Sequence, residues 1–188
     1  MSLKQTPLYE AYINSGCRMA SFAGWEMPIQ FSSLMNEHHA VREEVGVFDI
    51  SHMGVFILKG RQAKDGLQKL VPSDLYRIGP GEACYTVLLN QDGGIIDDLI
   101  IYDLGHDNNN DENLIIVINA ACIAQDINWI DKYLSPLEIK ISDFKKDGIF
   151  IALQGPKTIK TLNKFLQESP SLIPRFGHKF INHKNTLE

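Results

Sequence analysis

Two adjacent carboxylates, in the run Gly93-Gly94-Ile95-Ile96-Asp97-Asp98-Leu99-Ile100-Ile101-Tyr102, are the side chains of this 188-residue sequence best placed to do chemistry. The run reads as a strand, in which successive side chains point to opposite faces. Ile96, Asp98, Ile100 and Tyr102 therefore share one face, and Ile95, Asp97, Leu99 and Ile101 share the other. Each acid has aliphatic neighbours, so at least one carboxylate is expected against apolar surface, where a charge is costly unless paired or hydrogen-bonded. Desolvation raises the pKa of such an acid and a nearby cation lowers it, so the sequence leaves its protonation state open. The structural alternative is that both acids border a turn and bond its amides. No metal is expected, because carboxylates on opposite faces cannot grip one ion and no histidine lies nearby.

Other candidates carry less. Ser51-His52 sets a hydroxyl beside an imidazole, but neighbours in an extended chain point apart and no GxSxG elbow is present, so serine hydrolysis is unsupported. His38-His39 falls inside a helix, where adjacent side chains diverge by about 100°. Gly79-Pro80-Gly81 and Gly155-Pro156 are turn and helix-start chemistry; without a following Gly-Lys-Ser/Thr neither is a phosphate loop. Phe22-Ala23-Gly24-Trp25-Glu26-Met27-Pro28 reads as an irregular loop, either a packing element or an aromatic anchor near a ligand.

Composition narrows the class. With 18 Lys+Arg against 23 Asp+Glu the net charge is −5, which argues against a nucleic-acid partner. At 44% hydrophobic and 22% charged residues the chain is globular in character, long enough for one domain or two small ones. Cys17, Cys84 and Cys122 are widely spaced and outside any CxxC pattern, so neither a disulfide framework nor a thiolate metal site is expected, and a reducing cytoplasm fits. The first residues lack a signal or transit pattern, and runs such as Leu114 to Ile118 fall far short of the roughly 20 apolar residues of a membrane helix.

The elements that must position the acids follow from periodicity. A helix is expected from Ser32 or Ser33 to Val45, with Leu34, Val41 and Val45 as its apolar stripe and Gly46 as its stop. Val55 to Leu58 reads as a strand closed by Gly60, and Gln62 to Leu70 as a short helix. Ala83 to Leu89 and Ile95 to Tyr102 form a hairpin about Asn90-Gln91-Asp92-Gly93-Gly94. Asp103 to Asn113 reads as a dispensable polar loop, Leu114 to Ile118 as a strand covered on both faces, and Asn119 as the cap of a helix built on Ile123, Ile127, Ile130 and Leu134. Leu137 to Ile141 and Ile149 to Leu153 read as strands, the second buried, before a helix from Gly155-Pro156 to about Leu166. The sum is an α+β fold, helices covering a mainly antiparallel sheet; the hairpin and the lack of GxGxxG disfavour a doubly wound sheet.

These segments also resemble a known family. Thr6-Pro7-Leu8, the Phe22 to Pro28 run, Val41-Arg42, Val45 to Gly54, Tyr85, Gly93 to Asp98, Asn119-Ala120-Ala121 and Leu153-Gln154-Gly155-Pro156 occur in the order found in the aminomethyltransferases, the T-proteins of the glycine cleavage system. The resemblance implies a folate-binding aminomethyltransferase-like fold with a ferredoxin-like subdomain at 55–145, set within a first domain formed by 1–54 and 146–188. It implies transfer of the methylene of an aminomethyl-lipoyl H-protein to tetrahydrofolate, giving 5,10-methylenetetrahydrofolate and ammonia. It implies Asp98 as the catalytic acid and Tyr85 as a folate contact, with Met53 and Asn119 lining the cavity. Tyr102, on the face of Asp98, is expected to join the folate-binding set. Family members are about twice as long and continue into a C-terminal barrel, so the chain corresponds to their N-terminal half, a fragment expected to be inactive alone. The alternative within the superfamily is a module that binds folate without transferring carbon.

Overall fold

Alternating apolar strands account for most of the architecture. The computed structural model describes residues 2–146 and 148–184, and the chain divides into two units, one of 2–52, 148–174 and 179–184, the other of Met53–Lys146 and Arg175–His178.

The second unit holds the acidic pair. Its elements are β4 (Gly54–Gly60), α3 (Ala63–Gln68), β5 (Ala83–Leu89), β6 (Ile95–His106), β7 (Glu112–Ile118), α4 (Ile123–Leu134) and β8 (Lys140–Asp143). The five strands form one sheet in the order β5-β6-β7-β4-β8, every neighbouring pair antiparallel. Without the edge strand β5 this is the ferredoxin-like arrangement, two crossover helices linking non-adjacent strands. One sheet face carries Leu58, Leu88, Leu99, Ile101, Leu114, Ile116 and Ile118, which pack with Leu67 of α3 and with Ile130 and Leu134 of α4 into one buried cluster. At about 25 cal/mol per Å² of apolar surface removed from water, this cluster is the main favourable term for the unit. Leu114 to Ile118 is buried at every position.

Several local expectations are corrected here. The strand β6 runs on to His106 and β7 begins at Glu112, so the polar loop is only 107–111. Asp103 lies inside the fold: its Oδ2 accepts from Lys64 Nζ at 2.5 Å and its Oδ1 from the Gly105 amide at 2.8 Å. Between Leu88 and Leu89 the β5–β6 register shifts, Leu88 pairing with Asp97 and Leu89 with Ile95. Ile96 is the extra residue of this bulge; it packs against the core, and Ile95 is 68% exposed.

The first unit contains α1 (Tyr9–Ser15), β1 (Arg18–Phe22), β2 (Trp25–Gln30), α2 (Leu34–Glu43), β3 (Gly46–Asp49), β9 (Ile151–Gln154) and α5 (Thr158–Leu162). The segment read as an irregular loop is a β1–β2 hairpin. Its two-residue turn puts Ala23 at φ 50° and Gly24 at φ 81°, the doubly positive conformation that matches strand twist and that glycine adopts without steric cost. In α2 the Ser33 hydroxyl accepts from the Asn36 amide at 3.1 Å, as a cap should. The helix stops before Val45 and buries none of its residues, Leu34 being 66% exposed. The strand β9, expected to be buried, is half-exposed, and α5 is only five residues long. β3 and β9 pair antiparallel, and beside them Asp49 accepts from the Thr6 hydroxyl and the Ser51 amide.

Candidate functional site

The alternation along β6 sends the two acids to different surroundings. Asp98 stands on the sheet face opposite the helices, opposite Val87 on β5 and diagonal to Tyr85, whose own partner is Ile100. The Tyr85 hydroxyl hydrogen-bonds the Asp98 carboxylate, which, with that carboxylate's charge, holds the phenol above its usual pKa. Tyr85 is 55% exposed and borders an open cleft of about 520 Å³ that Asp74, Arg77, Cys84 and Phe176 also line. Asp97 turns the other way, toward Cys122 and Asp126 at the start of α4.

Asn119 joins the two. It follows β7 directly, and because Leu99 pairs with Ile118, its side chain reaches the part of β6 where the acids sit. Asn119 Nδ2 donates to Asp97 Oδ1 at 3.0 Å and to Asp98 Oδ1 at 3.1 Å. The expected capping role is not taken, since α4 begins at Ile123 with Cys122 before it. The amide is spent on the carboxylates, as suits a donor beside two anions: hydrogen bonds to ionised acceptors are roughly twice as strong as neutral ones. Nor do the acids serve the turn. The amides of Asp92 and Gly94 bond Asn90 Oδ1 instead.

Met53 precedes β4, whose Gly54 pairs with Ile118, so Met53 and Asn119 stand at the same end of the β4–β7 ladder. The Met53 carbonyl accepts from Lys145 Nζ at 2.9 Å. Tyr102 shares the Asp98 face but lies four residues further along β6, about 13 Å away at strand rise. Its ring packs edge-on against His178 at 5.6 Å, and burial raises its phenol pKa. Asp98, Tyr85 and Asn119 are thus in direct contact, Met53 neighbours them by register, and Tyr102 stands apart.

Sequence reasoning missed Asp126. It is 0% exposed, and burial first, then the Asp97 and Asp98 carboxylates, push its pKa from 3.8 up to about 7. The positive end of α4 favours the charged form by only about 0.3–1 kcal/mol, while burial and the two neighbouring acids act in the opposite direction. The signal was available: Asp126 is three residues from Ile123 and four from Ile130, an acid on an apolar helical stripe. Ser51 and His52 are buried, the Ser51 hydroxyl accepting from the Phe150 amide at 2.9 Å, while the rings of the exposed His38 and His39 meet edge to face.

A family model described as the GCVT N-terminal domain matches residues 8–182. The chain belongs to the GCVT N-terminal domain family. Curated relatives named aminomethyltransferase include one from Prochlorococcus marinus strain SARG, 61% identical over 96% of this chain and 49% of its own length, and one from Parasynechococcus marenigrum, 55% identical over 98% and 50%. The crystal structure of the glycine cleavage system aminomethyltransferase T from Bartonella henselae superposes with a TM-score of 0.79 at 32% identity, over 87% of this chain and 44% of that one. As a GCVT N-terminal domain, the chain spans about half the length of the curated relatives it matches. The expected fold class is thereby established, and the relatives are transferases by name. Among the described residues no helix is long and apolar enough to cross a membrane, and no cluster of three His, Cys, Asp or Glu is placed to hold a metal ion.

Proposed function

We propose that this chain is the folate-facing half of a glycine cleavage aminomethyltransferase, which passes the methylene of an aminomethyl-lipoyl H-protein to tetrahydrofolate. In the balanced reaction two carbon–nitrogen bonds form to the reduced pterin while one carbon–sulfur and one carbon–nitrogen bond break. The two protons leaving the pterin nitrogens end on the carrier thiol and on ammonia. Such chemistry gathers positive charge on the one-carbon unit as it changes partners. A fixed carboxylate next to it lowers that barrier by orientation and by electrostatic stabilisation.

Asp98 is the residue for this role. Asn119 holds one of its oxygens and Tyr85 bonds the carboxylate from β5, so the acid is aimed before any substrate arrives. Tyr85 and Met53 would flank the pterin, with Tyr102 further along the same face. The single observation that carries the reading is the Asn119 amide bridging Asp97 and Asp98. A metal is not needed for this reading, and three unpaired cysteines suit a cytoplasmic setting.

Calorimetric titration of the chain with tetrahydrofolate, and methylenetetrahydrofolate formation from a lipoylated carrier in the full-length enzyme, test it. Asp98→Ala is expected to remove at least a hundredfold of the transfer rate, within the range for one preorganised electrostatic group. An unchanged rate refutes the role of Asp98. Binding with no transfer by the full-length enzyme would point to the non-enzymatic folate module instead.

A further inference from the structure

Behind the reactive acid lies a buried pair that the proposed reaction does not use. Among the described residues no donor reaches either carboxyl oxygen of Asp126, and Asp97 Oδ2 is buried in the same condition, while Asp97 Oδ1 accepts from Asn119. Asp97 is the nearest carboxylate acting on Asp126, and the Cys122 thiol lies against Asp97 as well. Two ionised carboxylates have no hydrogen to share, so as ions they would only repel. One proton between them converts the contact into a bond and satisfies an orphan oxygen on each side.

The surroundings decide which acid carries it. Asp97 already accepts the Asn119 amide on Oδ1, which leaves its buried Oδ2 as the oxygen still open to a donor. The charges acting on Asp126 are both negative, Asp97 first and then Asp98 from the same strand, and the Cys122 thiol, one turn earlier in sequence, sits in the same field. We propose that Asp126 holds a proton, donates it to Asp97 Oδ2, and through this carboxyl–carboxylate pair fixes the Asn119 amide against Asp98, making Asp126 a positioning residue for the reactive acid. The chain of contacts is Asp126 to Asp97 to Asn119 to Asp98, running from the helix layer through the sheet to its opposite face. When Asp126 loses its proton, the pair becomes two repelling anions and Asn119 loses its fixed anchor. The inference rests on Asp98 being the reactive acid, but its first test needs no folate.

The 188-residue chain labelled with carbon-13 at aspartate carboxyls is titrated by NMR between pH 4 and 9. One carboxyl should titrate near neutrality and vanish in Asp126→Asn, and the Asp98 resonance, identified by its loss in Asp98→Asn, should move in the same step. Stability supplies a second readout. A carboxyl raised in the folded state contributes stability that is fully present below its unfolded value, near 4, and is lost as pH rises through its folded value. The wild-type unfolding midpoint should therefore fall as pH rises from about 4 to about 7 and level off above that, and this part of the slope should be missing in Asp126→Asn. With tetrahydrofolate as ligand, affinity should drop at least fivefold in Asp126→Ala at pH 6. Asp126→Asn should restore most of it, because its amide can still donate to Asp97. Titration of Asp126 in the ordinary carboxylate range, or an Asp98 resonance indifferent to it, overturns the proposal. If the linked titration is present and tetrahydrofolate does not bind, the proposed function falls while the coupling of Asp126 to Asp98 stands.

Discussion

Replacing Asn119 by alanine removes the one donor that, among the described residues, bridges the two acids, and its cost can be worked from the contacts. Three contacts of its Nδ2 are lost, two to carboxylate oxygens at 3.0 and 3.1 Å and a longer one to the Asp98 carbonyl at 3.4 Å. Bonds to charged groups contribute about 1.5–3 kcal/mol each. Asn119 is only half-buried, so water recovers part of the Asp98 contact, but the Asp97 side is enclosed. The expected loss is about 3 kcal/mol in ΔG of unfolding. For a chain of this size that corresponds to a fall of roughly 6–12 °C in Tm. Urea unfolding at pH 6, followed by circular dichroism, measures it. Asn119→Asp is the discriminating companion: nearly the same shape, but a third carboxylate in place of the donor, so it should be less stable than Asn119→Ala. A loss under about 1 kcal/mol for the alanine variant, or an aspartate variant as stable as the alanine one, would refute the view that this amide reconciles the two acids.

Two further outcomes follow from packing. Gly155 has φ 131°, and a Cβ there would meet the Glu44 carbonyl oxygen at 2.5 Å and that of Val41 at 2.8 Å, backbone atoms that cannot swing aside; Gly155→Ala should cost at least about 3 kcal/mol in urea unfolding, and a cost under about 1 would contradict the clash. Lys64→Met strands the Asp103 carboxylate, whose side chain is 6% exposed, without its 2.5 Å partner, and should cost about 3–5 kcal/mol. Adding Asp103→Asn, which leaves an oxygen for the Gly105 amide, should recover at least half of that loss in the same assay; strict additivity would show that the ion pair is not what matters.

Much of the second unit was legible because period-2 patterning fixes both strand and face. Thr86, Leu88, Leu99 and Ile101 face the helices while Tyr85, Val87, Asp98 and Ile100 face away, as alternation requires. What failed was governed by contacts distant in sequence. Asp103 and the residues after it look like a polar loop until Lys64, thirty-nine residues away, neutralises the acid. Asn119 has the composition of a helix cap, and only strand pairing reveals that carboxylates outbid the helix for its amide. The Phe22 to Pro28 run hid a hairpin because Ala23, not the usual Asn or Asp, precedes Gly24 at positive φ. In α2 and β9 the apolar residues have the pattern of core positions, yet among the described residues none of them is buried. Asp126 is masked in the sequence by the isoleucines of its own helical stripe.

The bulge at Ile96 has a consequence for how the strand tolerates length changes. Gains or losses of single residues in the 90–94 turn fall upstream of it, where an unpaired position already absorbs a half-step of the pleat. A single residue inserted between Asp98 and Leu99, with the Leu99–Ile118 pairing held, would reverse which acid meets the helices and which meets the open face. The two aspartates would then trade environments, with no change of composition at all.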